Sequence, residues 1–227
     1  MKLLAVIPAR AGSKRLKNKN FRILGSKPLF MHLVDKIKNL KSISKIIIST
    51  DYKKIDEKKF SKKIQIDLRK KKLANDKSTV LETVIDIAKK YKEYDYIGFF
   101  LPTCPFISVK DIKAGIKKLK NYDAVVSIMP FDDPIQIALK YNLKSKIIKP
   151  IFDHLRKNKT NSKYIEKSYK PSGGFYFVKR KLLLKKKTLY LRNICGILYS
   201  EKKYVDIDTL ENFKYAEYLL NIKWKKI

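Results

Sequence analysis

Short apolar runs alternate along the chain with longer stretches in which apolar residues recur every three or four positions. Residues 3–7 (Leu-Leu-Ala-Val-Ile), 45–49 (Lys-Ile-Ile-Ile-Ser), 64–68, 95–101 and 123–129 each have the length and residue types of a buried strand. Pro8 ends the first, because proline has no N–H to donate to a continuing ladder. After Pro28, a residue suited to the first helical position, Leu29, Phe30, Leu33, Val34, Ile37 and Leu40 fall on one helical face. Val80, Leu81, Val84, Ile85, Ile87 and Ala88 do the same over residues 79–90. Ser108-Val109-Lys110-Asp111 opens a further helix with a capping-box-like start and a stripe of Ile112, Ile116 and Leu119, and a last helix spans residues 210–224. Strands alternating with amphipathic helices predict a three-layer α/β/α fold with a mainly parallel sheet, whose ligands bind beyond the carboxyl ends of the strands. Between residues 131 and 171 the alternation breaks, with prolines at its edges and within it, many lysines and no sustained period. That stretch is expected to be a small insertion (a lid, a β-hairpin or a dimerisation arm) within a single domain over residues 1–227.

Composition narrows the function classes. The chain of 227 residues is long enough for one sizeable core, and 44% of it is hydrophobic. No run of 18 apolar residues occurs, so no transmembrane helix is expected. The first apolar run is too short and wrongly flanked for a signal peptide, which leaves cytoplasmic residence as the expectation. Cys104 and Cys195 form no C-x-x-C pair, and His32 and His154 are isolated, which argues against a zinc site and a histidine-based triad. The net charge of +33 points at first to nucleic acid or an anionic surface. Only seven of the 54 basic residues are arginine, however, and the lysines run along the whole chain. Specific readers of nucleic acid lean on arginine for bidentate contacts, so no dedicated nucleic-acid partner is expected.

Candidate chemistry lies near both ends. After the first strand comes Ala9-Arg10-Ala11-Gly12-Ser13-Lys14-Arg15, a small-residue turn ringed by cations that also include Lys17 and Lys19. Small residues let backbone N–H groups approach an anion, and Gly12 is free to take a positive φ. The turn is neither a P-loop nor G-x-G-x-x-G, and it is either a polyphosphate seat or a solvated basic surface. Ser49-Thr50-Asp51 ends the second strand in polar groups, with Asp51 read as a helix cap. Asp76 could likewise cap the helix that follows it. Near the other end, Asp206 and Asp208 in a strand would point to one side, as a hard divalent cation needs, while Asp208 or Thr209, with Glu211, could instead cap the last helix.

Residues 7–20, IPARAGSKRLKNKN, resemble the first motif of the cytidylyltransferases that activate nonulosonic and related acidic sugars, the CMP-N-acetylneuraminate synthetase family. Three later segments are similar to that family's motifs: Arg69 to Asp76 to R-P-x-x-L-A-x-D, Leu101 to Ile107 to Q-P-T-S-P-L-R, and Val205 to Phe213 to a metal-binding D-I-D-T-x-x-D-F. Ser172-Gly173-Gly174-Phe175-Tyr176 resembles N-G-a-I-Y. The resemblance implies a Rossmann-like nucleotidyltransferase that uses CTP and an acidic sugar, with Mg²⁺ as cofactor, as a homodimer. It implies that Arg10 and Lys14, with Ala11, Gly12 and Ser13, hold the phosphates, and that Lys19, Asn20, Arg69, Pro102 and Thr103 complete the nucleotide pocket. Ser172, Gly173 and Tyr176 would face the sugar, Asp206 and Asp208 would hold the metal, and Arg10, Lys14 and Asp208 would carry the catalysis. Lys140, Lys149 and Arg156 are candidates for the sugar carboxylate. The chain departs from the pattern at Lys70 (for proline), Leu101 (for glutamine), Cys104 (for serine), Ile107 (for arginine) and Ser172 (for asparagine). Leu101 cannot hydrogen-bond a base, which is expected to weaken or change base selection. It leaves open another sugar nucleotidyltransferase with a different base or a sugar-phosphate acceptor, and the charge leaves open a basic nucleic-acid-binding protein.

Overall fold

Strand β1 (Leu3–Pro8) is buried along its whole length at the middle of a sheet. In the computed structural model, which describes residues 1–158, 161, 164–200 and 203–221, β4 (Lys45–Thr50) and β6 (Tyr96–Phe99) flank it, both parallel to it. β5 (Ile64–Leu68) continues the sheet parallel to β4. On the other side, β10 (Tyr169–Lys179) runs antiparallel to β6, followed by β7 (Ala124–Pro130) and β11 (Ile194–Leu198). The order of the seven strands is β11-β7-β10-β6-β1-β4-β5.

Alternation along β1 generates the layers. Leu3, Ala5 and Ile7 pack with Phe30, Leu33, Val34 and Ile37 of α1 (Leu29–Ile37) and with Ile112 and Ile116 of α3 (Val109–Lys118). Leu4 and Val6 pack the other way, with Val84, Ile87 and Ala88 of α2 (Val80–Lys90) and Leu183 of α4 (Arg180–Lys186). Each Val, Leu, Ile or Phe side chain among these, taken fully from water, contributes about 1.5–3 kcal/mol. A third cluster sets the active end. Leu16 from the loop after β1, and Leu24 and Leu29 from the hairpin of β2 (Ile23–Leu24) and β3 (Lys27–Pro28) and the helix behind it, meet Val205 and Ile207. Phe213, Ala216 and Leu219 of α5 (Leu210–Asn221) close that cluster.

Several local expectations are corrected. Residues 205–208 join no sheet among the described residues; the Ile207 N–H donates to the Thr103 carbonyl (2.9 Å), and Val205 and Ile207 are buried. Pro28 precedes α1 rather than opening it. Thr79, not Asp76, caps α2, in a complete capping box with Glu82. No helix starts at Tyr52, so Asp51 caps nothing. The last helix is described to Asn221, and its expected final residues, 222–224, lie outside the described residues. β11 and α4 were not anticipated: the first is interrupted by Gly196 and the second is too short to show a period.

The chain divides into two compact units, Met1–Ser127 with Ser172–Ile227, and Ile128–Pro171. The second unit carries an antiparallel hairpin of β8 (Leu139–Tyr141) and β9 (Ile148–Pro150), in which Lys140 stands directly opposite Lys149. Leu143, Ile147, Ile148 and Ile151 of this unit are exposed. No helix among the described residues is long and apolar enough to cross a membrane.

Candidate active site

The carboxyl ends of the parallel strands open onto one cleft of about 280 Å³. Arg10 and Ser13 enter it from the loop after β1, Arg69 from the end of β5, and Leu101, Pro102 and Thr103 from the end of β6. Lys19 and Asn20 line it from the turn that follows the first loop, and Asp206 and Asp208 from the far end of the chain. The third apolar cluster explains the convergence. Val205 and Ile207 are buried against Leu16, so the intervening Asp206 and the following Asp208 face the opposite way, toward the loop that Leu16 anchors. Lys19 Nζ, only 12% exposed at its side chain, meets Asp208 Oδ1 at 2.7 Å, and Arg15 Nη1 meets Oδ2 at 2.9 Å.

Burial pushes the Asp208 carboxyl up, but the bonds and charges of Lys19 and Arg15 outweigh it and hold the group below the usual carboxylate range. Asp208 is therefore ionised at neutral pH. Its backbone is secured separately: Asn212 Oδ1 accepts the N–H groups of Asp208 (3.2 Å) and Thr209 (3.1 Å), while the Asn212 N–H donates to Thr209 Oγ1 (3.3 Å). Thr209 thus caps α5, with the Glu211 carboxylate bonded to it, and the Asp208 carboxylate is left for the cleft.

The first loop is pinned from two sides. The Ala11 N–H donates to Asp51 Oδ1 at 2.7 Å, and Asn20 Nδ2 donates to the Arg10 carbonyl at 2.8 Å. The Ser13 N–H turns back to the Ala11 carbonyl (2.8 Å). Gly12 does not use the left-handed backbone open to it, and a Cβ there would meet nothing within 4 Å. Lys14 is 83% exposed and outside the cleft wall; its ammonium pairs with Asp76 at 2.6 Å. Arg69 is drawn inward: Nη2 donates to the Ser49 carbonyl at 3.0 Å, and its Nε is buried without a partner. Burial lowers its pKa, against the raising pull of Asp51.

The residues expected to face a sugar do not line this cleft. Ser172 is 1% exposed, and its hydroxyl donates to Ser127 Oγ at 2.8 Å. Its carbonyl accepts from Cys104 Sγ and Tyr204 OH, each at 3.2 Å. Gly173 has φ +77°, and a Cβ on it would stand 2.7 Å from Cys104 Sγ. Tyr176 stacks on Phe99 with 4.6 Å between ring centres. Together these groups hold the start of the inner part of β10 against the end of β6. The Cys104 thiol is pushed up by burial and by the nearby Asp206, and stays protonated.

Ser78, Thr79 and Val80 line the cleft and were not singled out from sequence. The capping box at Thr79 and Glu82 was the available signal, because it aims the amino end of α2, with its partial positive charge, at whatever lies after β5.

Among the described residues no group of three or more His, Cys, Asp or Glu side chains could hold an ion. Two carboxylates on one wall nonetheless fit a hard divalent cation that fills the rest of its shell with phosphate oxygens and water.

Residues 4–223 match the profile of a cytidylyltransferase family. The CMP-N,N'-diacetyllegionaminic acid synthase of Legionella pneumophila is 30% identical, over 98% of this chain and 97% of its own. The pseudaminic acid cytidylyltransferase of Campylobacter jejuni is 26% identical, again over 98% of this chain and 97% of its own. Among solved structures, a CMP:2-keto-3-deoxy-manno-octonic acid synthetase complexed with CTP is similar in fold, with a TM-score of 0.71 at 17% identity, covering 97% of this chain and 98% of that one. With its parallel sheet, its cationic loop and its paired carboxylates, the chain belongs to the cytidylyltransferase family.

Proposed function

We propose that the protein transfers a cytidylyl group from CTP to a nonulosonic-type keto-sugar acid, giving a CMP-sugar and pyrophosphate. The observation that carries this reading is the 2.7 Å contact of Lys19 with Asp208, which joins the cationic loop and the carboxylate wall in one cleft. The anomeric hydroxyl attacks the α-phosphorus, a new P–O bond forms, the bond to the β-phosphate oxygen breaks, and the hydroxyl proton is lost. The barrier comes largely from bringing an electron-rich oxygen to a polyanion, so catalysis is positioning plus charge neutralisation. Arg10, Lys14 and Lys19 neutralise the phosphates, with Ala11, Gly12 and Ser13 leaving the loop open for close approach. Arg69, Pro102 and Thr103 wall the nucleoside side, and Asn20 fixes the loop through the Arg10 carbonyl. Asp206 and Asp208 would hold Mg²⁺, which when bound neutralises charge on the α-phosphate and lowers the pKa of the attacking hydroxyl. His and Cys are absent from the cleft wall as bases: it has no histidine, and the neighbouring Cys104 thiol is protonated.

The second unit is a compact body by itself. Its exposed Leu143, Ile147, Ile148 and Ile151 suit a dimerisation arm. Within that unit, Lys140 and Lys149 are like charges directly opposite on the hairpin, an arrangement that suits a bound anion.

A pyrophosphate-release screen tests the reading, with the four nucleoside triphosphates against a panel of keto-sugar acids, Mg²⁺ present or chelated. Release is expected with CTP and an acidic sugar, to stop on chelation and to fall at least about 100-fold in Asp208→Asn, the scale of losing a group that neutralises the reacting phosphate. Release from no pair, or full activity in Asp208→Asn, would reject it. All four triphosphates belong in the screen because the side chain of Leu101, on the cleft wall, offers a base no hydrogen bond.

A further inference from the structure

Two cations of the first loop, Arg10 on the cleft wall and Lys14 beside it, share one of the protein's own carboxylates. Asp76 Oδ1 lies 3.1 Å from Arg10 Nη2, and Asp76 Oδ2 lies 2.6 Å from Lys14 Nζ. One carboxylate thus spans the two cations with its two oxygens, as two oxygens of a phosphate group would. The turn that presents it is closed on itself: Asn75 Oδ1 accepts the N–H groups of Lys77 (2.8 Å) and Ser78 (3.0 Å), and Arg10 Nη1 donates to the Asn75 carbonyl at 3.0 Å. Asp76 does no other visible structural work, because Thr79 and Glu82 cap the helix behind it. The hydrogen bond and charge of Lys14, then the charge of Arg10, hold its carboxyl below the usual range, so it is ionised at neutral pH. All three side chains keep contact with water, at 30% for Arg10, 83% for Lys14 and 40% for Asp76. Exposed pairs of this kind are weak, and a multiply charged anion can take their place.

We infer that Asp76 is a built-in competitor at the nucleotide cleft: its carboxylate holds Arg10 and Lys14 on one anion, and a phosphate of the nucleotide displaces it. The inference rests on the proposed reading of the cleft as a nucleoside triphosphate site. Binding is then an exchange of anions, and Asp76 competes with the ligand. Its carboxylate keeps the two cations together near the cleft mouth against their mutual repulsion, and its departure releases both onto the incoming phosphate.

The test is equilibrium titration with CTP and, separately, inorganic tripolyphosphate, in chelator so that no turnover occurs. Asp76→Asn keeps the side-chain shape and removes the competing charge. It is expected to bind both ligands about three- to tenfold tighter, the scale of one to two exposed pairs no longer competing. Asp76→Glu is expected to restore wild-type affinity. Asp123→Asn removes the same charge from a pair with Lys179 outside the cleft, and is expected to shift affinity less than twofold. Thermal melts establish that each variant is folded, and Asp76→Ser serves as a second neutral variant should the amide fail. Equal or weaker binding by the neutral variants, or equal tightening in Asp123→Asn, overturns the inference and leaves the cleft assignment standing. Binding of neither ligand by any form, wild type included, overturns the cleft assignment and the inference together.

Discussion

The bond between Lys19 and Asp208 links two positions 189 residues apart, and its strength can be read from a double-mutant cycle. Lys19→Met and Asp208→Asn, singly and combined, isolate the pair. A hydrogen bond between charged partners contributes about 1.5–3 kcal/mol. Here Lys19 is 12% exposed but Asp208 is 35% exposed, so solvent screens one end. The expected coupling is therefore about 1–2 kcal/mol, toward the lower end of that range. Arg15 stays on Asp208 when Lys19 is lost, but at 70% exposure it compensates little. Each kcal/mol moves the melting temperature of a chain this size by about 2–4 °C. The effect also carries a pH signature. Burial raises the Asp208 pKa and Lys19 and Arg15 lower it further, so its folded value lies below its unfolded value, about 3.9. The group's stabilisation is then present above about pH 4 and is lost as pH falls through the folded value. Lys19→Met should shrink that acid-side loss. Urea denaturation of the four proteins between pH 7 and pH 3 measures both quantities. Single effects that add within about 0.3 kcal/mol, with an unchanged acid limb, would refute the reasoning.

Three further outcomes follow from the structure. Gly173→Ala forces a side chain into a left-handed backbone and against Cys104 Sγ, and should cost about 2–4 kcal/mol in a urea titration. Burial lowers the pKa of His32, with Leu24's carbonyl 2.9 Å from its Nε2 only partly offsetting it. Its folded pKa is therefore below the unfolded value of about 6.5, and stability should decline as pH falls below that value, less so in His32→Gln, by urea midpoints at pH 7.5 and 5. Leu101→Gln places a hydrogen-bonding amide on the cleft wall and should raise the ratio of kcat/KM for CTP over UTP by about tenfold, while an unchanged ratio would remove Leu101 from base selection.

The layered sheet was legible because its signal is redundant. Leu3 to Ile7 are buried on both sides, and the helical stripes of α1, α2 and α3 repeat over two or more turns. Short elements carry no such redundancy, which is why Ile194–Leu198 and Arg180–Lys186 escaped notice. Residues 205–208 show a different limit. Alternation of buried and outward positions predicts a strand, yet it needs only one packed face, and here Leu16 and α5 supply it with no neighbouring strand among the described residues. At the site, motif residues located the cleft, and partner identity did not follow from them. Asp51 and Asp76 both carry cap-like sequence contexts, but one bonds the Ala11 N–H and the other bridges Arg10 and Lys14. Local spacing cannot anticipate bonds that the sheet creates between strand ends far apart in the chain. The side chains of Ser172 and Tyr176 support the junction of β6 and β10 and do not line this cleft, contacts that their motif spacing does not reveal.

The most direct measurement is a crystal structure of the protein with CTP bound. The account predicts the triphosphate between Arg10, Lys14 and Lys19 on one side and Asp206 and Asp208 on the other, with Arg69 and Pro102 beside the nucleoside. A nucleotide seated elsewhere on the protein, with Lys19 still closed on Asp208, would contradict it.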